Sequence, residues 1–348
     1  MRYSIAAAAV LLTLSLHAQE KTFMVQEEDD SIVRTSLRAD RGYTNGTRLL
    51  WRWTPEDDSR LGKLASALCR HDGSFVCERS VTAGLGQNMY TPENLRSRAA
   101  IRGDRPYGGW LYATLMLDAA RAATIDHVEL YAGVIGRDSH ADDAQIFVHQ
   151  HVTPQAPDPL GWDTQMGEWA ALLGRYERRW KLLPRAQLTD RDRPHSFDVT
   201  PAIGGAAGNV AVSANASTTV RLGYNLPGHF VESVFTGVQA LHSPAPGAPQ
   251  EARREPPPNW DAYVYVVANA SYVARNVFID AEDERYRIER RPWVKEHRAG
   301  FSVRRNRFRF TYQYTHVSSE FRPLIRRIAQ PDRPHSYGMV MLSFGPGA

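Results

Sequence analysis

From Val210 to Leu222 the chain alternates with period two. Val210, Val212, Ala214, Ala216, Val220 and Leu222 lie on one side, interrupted only by Thr218. Ala211, Ser213, Asn215, Ser217, Thr219 and Arg221, all small or polar, lie on the other. A run of this length specifies a strand with one apolar and one polar face. Phe308, Phe310, Tyr312 and Tyr314 repeat the pattern against Arg309, Thr311, Gln313 and Thr315. A soluble β-sandwich alternates in the same way. Strands of about ten residues with aromatic residues near their ends fit a transmembrane β-barrel better, because its strands turn their polar side to the interior. The mean hydropathy of −0.44 agrees with either arrangement.

The first residues bear on that choice. Arg2, an apolar run through Leu16 and the small residue Ala18 form a secretory signal peptide over residues 1–18, leaving 19–348 as one domain. No later apolar run is long enough to cross a bilayer as a helix, so a membrane form of this chain is a barrel. In an exported chain Cys69 and Cys77 can form a disulfide, with two free thiols as the alternative. With only His71 between them they lack the ligands for zinc. A net charge of +4 without a dense basic stripe gives no footprint for nucleic acid.

Candidate strands fall near 22–30, 43–54, 78–90, 107–119, 125–136, 176–186, 197–207, 210–224, 260–274, 293–304, 307–318 and 336–345. About twelve is an even number, as bacterial single-chain barrels require. Pro184 makes the sixth the weakest. The Pro-rich stretch 243–259 reads as a connection between strands. With both termini periplasmic, connections 31–42, 91–106, 137–175, 275–292 and 319–335 face outward. Asp29, Asp30, Thr44, Tyr90, Asp104, His149 and Glu320 then gather at one rim, with Cys69 and Cys77 at the other. Within 137–175, Met166, Trp169, Leu172 and Leu173 recur at helical spacing between Gly161 and Gly174, predicting a helical extracellular loop.

Several blocks then follow one another in a recognisable order. They are the acidic run Glu27-Glu28-Asp29-Asp30, Tyr43-Thr44-Asn45-Gly46, Gly86-Gln87-Asn88-Met89-Tyr90-Thr91-Pro92 and Gly103-Asp104-Arg105-Pro106-Tyr107-Gly108-Gly109-Trp110-Leu111. Gly133-Val134-Ile135-Gly136, Gln145 with His149, Gly161-Trp162-Asp163-Thr164-Gln165 and Ser318-Ser319-Glu320-Phe321 complete the series. In order and spacing the chain resembles the outer-membrane lipid A 3-O-deacylase family. The resemblance implies an all-β, antiparallel up-and-down barrel in the outer membrane, monomeric, acting on lipopolysaccharide.

It also implies the chemistry. His149, four residues after Gln145, matches the family's catalytic histidine, whereas His151 has no counterpart. Asp29, Asp30 and Thr44 match its acidic pair and motif threonine. The expected reaction is calcium-dependent ester hydrolysis, with His149 as general base and the cation receiving the oxyanion. Asp29 and Asp30 offer the hard oxygen ligands calcium prefers. No Gly-x-Ser-x-Gly motif supports a serine hydrolase.

Two departures stand out. The family's acidic motif is Asn-Asp, so matching it to Asp29-Asp30 or to Glu28-Asp29 leaves two registers open. Where the family carries Glu six residues after the histidine, this chain has Gln155; either the extra carboxylate at Asp29 offsets that loss or Glu168 supplies the ligand. Lipid A carries phosphates. Arg96, Arg98 and Arg102, with Tyr90, are therefore the expected substrate-binding residues, and a second group holds Arg285, Arg287, Arg290 and Arg291. The competing readings are a passive barrel, either a narrow pore or an inactive lipopolysaccharide binder, and a soluble exported β-sandwich.

Overall fold

The structure is a computed structural model and describes residues 21–32, 42–69, 77–121, 123–153, 156–182, 195–226, 259–281, 283–325 and 333–345. The expected signal peptide, Gln155 and the Pro-rich stretch up to residue 258 lie outside the described residues. Twelve strands close into an antiparallel barrel: β1 (Lys21–Asp29), β2 (Gly42–Trp53), β3 (Glu78–Thr91), β4 (Gly108–Ala120), β5 (Thr124–Ile135), β6 (Trp169–Trp180), β7 (His195–Gly208), β8 (Ala211–Tyr224), β9 (Trp260–Asn276), β11 (Trp293–Arg305), β12 (Phe308–Val317) and β14 (His335–Phe344). Each pairs with its sequence neighbour in the barrel, and β1 closes the ring on β14. Short strands β10 (Ile288–Arg290) and β13 (Phe321–Pro323) form a separate pair at the rim where β1 ends, here the upper rim.

Burial shows which face is which. On β8 the polar residues Asn215, Ser217, Thr219 and Arg221 are buried, and the apolar Val212, Val220 and Leu222 are exposed. A water-soluble sandwich buries the opposite set; an apolar exterior around a polar interior suits a hydrocarbon solvent. Aromatic pairs mark both ends of this band. Tyr224 stacks on Trp260 at the lower end, and Tyr272 meets Trp293 edge-on at the upper. Twelve steps from Trp260 to Tyr272 at about 3.3 Å, tilted by about 40°, span roughly 30 Å, the thickness of a bilayer's hydrocarbon core.

Charged side chains knit the interior across strands. Glu28 of β1 accepts from Gln26 (2.7 Å) and from the Tyr43 hydroxyl. Arg48 donates to the Tyr112 hydroxyl (2.7 Å), which donates to Asn88 (3.1 Å). His127 lies between Asp118 (2.5 Å) and Glu129 (2.8 Å), and Asp261 accepts from Arg309 (2.9 Å).

At the lower rim, helix α1 (Arg60–Cys69) starts at Ser59, whose hydroxyl accepts the Gly62 N–H at 2.9 Å. It ends in a Cys69–Cys77 disulfide with Cα atoms 6.0 Å apart. Arg121 ties the helix to the wall by donating to the Leu68 carbonyl and to Asp126.

One sequence expectation is overturned. The sixth strand is Trp169–Trp180, not 176–186, so Trp169, Leu172 and Leu173 belong to a strand and not to a loop helix. A short apolar run fits either period. Here β5 supplies backbone partners from Ile135↔Trp169 to Thr124↔Trp180, and Pro184 falls past the strand's end. The loop does contain a helix, α2, over Ala141–His151.

Candidate active site

The upper end of β1 and β2 carries the acidic run and the Tyr43-Thr44-Asn45-Gly46 block. Strand alternation sends Glu28 inward and Glu27 and Asp29 to the outer face. On β2 a bulge between Tyr43 and Asn45 breaks the alternation. Tyr43 turns inward to Glu28, Thr44 and Asn45 both turn outward, and Gly46 returns inward. Gly46 has no substitute there, because a Cβ would lie 1.8 Å from the Tyr43 hydroxyl. Asn45-Gly46, which could be read as a turn, is strand interior shaped by a bulge.

The outward groups converge. The Asn45 amide donates to both Glu27 and Asp29 (3.1 Å to Asp29), and the Thr47 hydroxyl donates to Glu27 at 2.6 Å. Asp29 also accepts the Ser31 N–H at 2.7 Å. Thr44 and Thr91 bring their hydroxyls to 2.7 Å. Farther down the same faces stand Phe23, Leu49 and Trp51, all exposed and apolar. The polar cluster therefore sits where the apolar band of the wall ends.

Helix α2 lies against this wall. Gln87, on the outer face of β3, donates to the Ser139 carbonyl at 2.7 Å, just before the helix. Gly109 of β4 makes room for the contact, since a Cβ there would meet Ser139 Oγ at 2.1 Å and the Ala141 Cβ at 2.4 Å. Met89, Leu95, Tyr107, Ala141 and Trp162 pack together between helix and wall. Ala141, Gln145 and His149, spaced by four, are the buried face of the helix.

Gln145 accepts the Trp162 indole N–H at 2.8 Å, and Trp162 packs on Tyr107 with ring centroids 4.9 Å apart. His149 holds its Nδ1 2.8 Å from the Pro157 carbonyl oxygen. A carbonyl can only accept, so Nδ1 carries the proton and Nε2 the basic lone pair.

The other expected site residues are placed as follows. Asp30 is buried in the single 3₁₀ turn Asp30–Ile32, past the point where Asp29 faces outward, so the two carboxylates are not side by side on one strand face. Glu168 is exposed in the connection before β6. Arg96, Arg98 and Arg102 are exposed in the connection between β3 and β4. Tyr90 is not with them: it faces the interior, stacked on Phe278 at 4.0 Å beneath the Arg105 guanidinium. Arg105 pairs with Glu320 at 2.5 Å, joining two upper connections. Asp104 beside it accepts the N–H groups of Glu93 and Arg105, each at 2.8 Å, and burial raises its carboxyl above the usual range. Of the second arginine group, Arg290 is held by Asp280.

Glu27, Asn45 and Gln87 stand in the recognised blocks without an assigned role, and Thr47 lies outside them. Period-two alternation was the available signal, since it puts Glu27 on the same face as Asp29. For calcium, the outer face offers hard oxygen donors, but no group of three or more His, Cys, Asp or Glu side chains comes together to hold a metal ion among the described residues. Carboxylate side chains of the described residues alone therefore do not make up a calcium site.

A closed twelve-stranded antiparallel barrel, apolar outside and carrying a histidine-bearing helix on its outer wall, defines an outer-membrane-type β-barrel protein. The model of the family "Outer membrane protein LpxR" matches residues 5–345, and the chain belongs to that family. Among solved structures it is similar to LpxR from Salmonella typhimurium, with 18% identity, a TM-score of 0.68, and coverage of 93% of this chain and 99% of that one. A second similarity, to the β domain of the Bordetella autotransporter BrkA, has 6% identity and a TM-score of 0.40, covering 94% and 99%. No curated protein matches the sequence.

Proposed function

We propose that this outer-membrane barrel is a lipid A 3-O-deacylase, with the α2 rim facing the outside of the cell. The observation that carries the reading is His149. It lies on the wall-facing side of a helix packed where the apolar band gives way to polar groups, and its Nδ1–H is held by Pro157. An ester linking an acyl chain to a sugar headgroup sits at that same boundary in a membrane.

In this mechanism Nε2 of His149 takes a proton from water as the water oxygen attacks the ester carbonyl. The tetrahedral intermediate collapses by breaking the bond to the sugar oxygen, which recovers the proton from the imidazolium. The products are a free carboxylic acid and a 3-hydroxyl. Between the Thr44 and Thr91 hydroxyls only one proton can lie, so the other hydroxyl hydrogen can serve the oxyanion. Arg96, Arg98 and Arg102 supply cations for the lipid A phosphates, and Tyr90 supports that connection from beneath.

Calcium dependence is a separate part of the proposal: the outward Asp29 would contribute one carboxylate, Asp30, Gln155 and Glu168 being the other expected ligands, and a bound ion would polarise the ester carbonyl. The pore alternative has less support, because Arg48, Arg175, Arg221 and Arg309 are buried within the barrel among acidic and tyrosine side chains. The test is release of fatty acid from purified lipid A in detergent, with and without a calcium chelator. Release that chelation abolishes and added calcium restores supports both parts. Release indifferent to chelation retains the hydrolase and removes the cation, and no release from a folded barrel removes the hydrolase.

A further inference from the structure

Most of the outer wall is apolar between the aromatic pairs at its two ends, but one patch is not. On β11 the outward residues that follow Trp293 are Lys295 and His297, both exposed. His297 faces the half-buried His316 across the β11–β12 pair. Trp293, paired with Tyr272, marks the upper edge of the band. At about 3.3 Å per residue and a tilt of about 40°, Lys295 lies roughly 5 Å and His297 roughly 10 Å inside that edge. A polar or charged group facing hydrocarbon is costly without a partner. The four-carbon stem of Lys295 can lift its ammonium to the boundary, but a histidine has no such reach. Among the described residues no side chain pairs with the Lys295 ammonium or the His297 ring. His316 is oriented by Ser336, whose Oγ lies 2.9 Å from its Nδ1 and accepts from the Tyr314 hydroxyl at 2.9 Å.

Beside these donors the wall is hollow. On β9, Ala270 pairs with Lys295 on one side and Ala216 on the other, and Ala268 pairs with His297 and Thr218 in the same way. Larger side chains stand above and below these short ones, Tyr272 toward the rim and Val220 with Val266 toward the middle of the band. The difference in length leaves two adjoining hollows of about 290 and 500 Å³. Thr218, Ala268 and His297 border both, the first extending to Lys295 and the second to Tyr314. Going round the barrel, β9 is six strands from β3 whether counted through β4 or through β2. This wall is therefore diametrically opposite the one that carries α2.

A lipid with a phosphate in its head and acyl chains below matches this surface in order and in sign. The ammonium and the imidazole N–H groups meet the phosphate, and the short side chains leave room for a chain. We infer that the outward wall of β8, β9 and β11 binds a lipopolysaccharide molecule in addition to the substrate. Its lipid A phosphate lies on Lys295, His297 and His316, and an acyl chain fills the hollow. Half a circumference from His149, this lipid is held and not hydrolysed. Lipopolysaccharide is the occupant, and not a phospholipid, because the donors lie toward the α2 rim, which the proposed function turns to the outer leaflet. The inference rests on that reading for the leaflet alone. A second copy of the chain seated symmetrically here would bring like cations together across the twofold axis.

The experiment counts bound lipid by native mass spectrometry of the full chain released from detergent, after titration with bis-phosphorylated lipid A. His149→Ala is the parent, so that no lipid is consumed. It is compared with Lys295→Gln/His297→Gln in the same background, which removes two donors, and with Ala268→Phe, which fills the hollow and removes none. Heat-modifiable mobility confirms that each is folded. At concentrations that saturate the parent, the inference expects one bound lipid A fewer in both variants. That difference holds whether or not the site at α2 also binds, so loss of the deacylase reading and loss of this one are distinguishable. Equal numbers of bound lipid A in parent and variants would overturn the inference. So would equal occupancy of the same residues by phosphatidylglycerol, titrated in parallel, or a dimer in the parent that the variants lose.

Discussion

His149 donates its Nδ1–H to the Pro157 carbonyl oxygen at 2.8 Å, and that one bond selects the tautomer with a basic Nε2. The partner is a backbone atom of the same connection, so the fold of the loop orients the ring. His149→Ala is therefore expected to lower turnover by about 100-fold or more while the barrel still assembles. His140→Asn is the control. His140 is exposed at the start of α2 with φ of 53°, a conformation Asn accepts, and its substitution should leave turnover unchanged. Steady-state fatty-acid release, alongside heat-modifiable mobility on gels, separates the two outcomes.

Gly46→Ala tests the geometry behind the bulge. The new methyl would displace the Tyr43 hydroxyl and crowd Glu28, whose oxygen lies 3.1 Å from the Cβ position. Leaving buried Glu28 without that donor costs about 1–3 kcal/mol. The loss should shrink in a Tyr43→Phe background, where no hydroxyl remains to be displaced. Urea midpoints in micelles for the two single variants and the double variant read this directly. Simple additivity would mean that Tyr43 is not what Gly46 accommodates.

The strands were largely legible in the sequence because barrel walls obey one rule throughout: polar in, apolar out. Of the twelve, only β6 was displaced. Its run Trp169-Ala170-Ala171-Leu172-Leu173 carries too little polar contrast to reveal a period. Helix α2 escaped because its buried face, Ala141, Gln145 and His149, carries no large apolar stripe to detect. The resemblance identified His149 and Thr44, but a bulge decides that Thr44 and Asn45 share a face, and no residue type announces one. The acidic run leaves two registers open in the sequence, Asp29-Asp30 and Glu28-Asp29, while strand geometry puts Glu27 beside Asp29 under one amide.

The Cys69–Cys77 bridge stands at the opposite rim from α2, closing a loop of sequence separation 8. Replacing both cysteines by Ser should remove about 2–3 kcal/mol of stability, the loop-entropy value for so short a ring. Fatty-acid release per folded molecule should stay at the wild-type level. A selective loss of activity at full folding would show that the lower rim acts on the site.

Asp104 gives the upper rim a pH dependence of definite sign. Burial raises its carboxyl above the usual range, so the folded state holds the proton more tightly than the unfolded chain does. Stability from this group is greatest at low pH and falls as pH rises from the unfolded value, about 3.9, through the higher folded value. Asp104→Asn cannot ionise and lacks that decline. The difference in Tm between Asp104→Asn and wild type should therefore move in the variant's favour on going from about pH 3 to pH 7. A difference independent of pH would show that Asp104 ionises as freely in the fold as outside it.

The most direct measurement of the account is mass spectrometry of lipid A from cells making the wild-type protein, His149→Ala, or neither. The account predicts that wild type alone converts lipid A to a species lacking the 3-linked acyl or acyloxyacyl group. Lipid A from His149→Ala cells should match that of cells without the protein. Unaltered lipid A in cells with correctly assembled wild-type barrel would contradict the deacylase reading, and equal conversion by His149→Ala would contradict its mechanism.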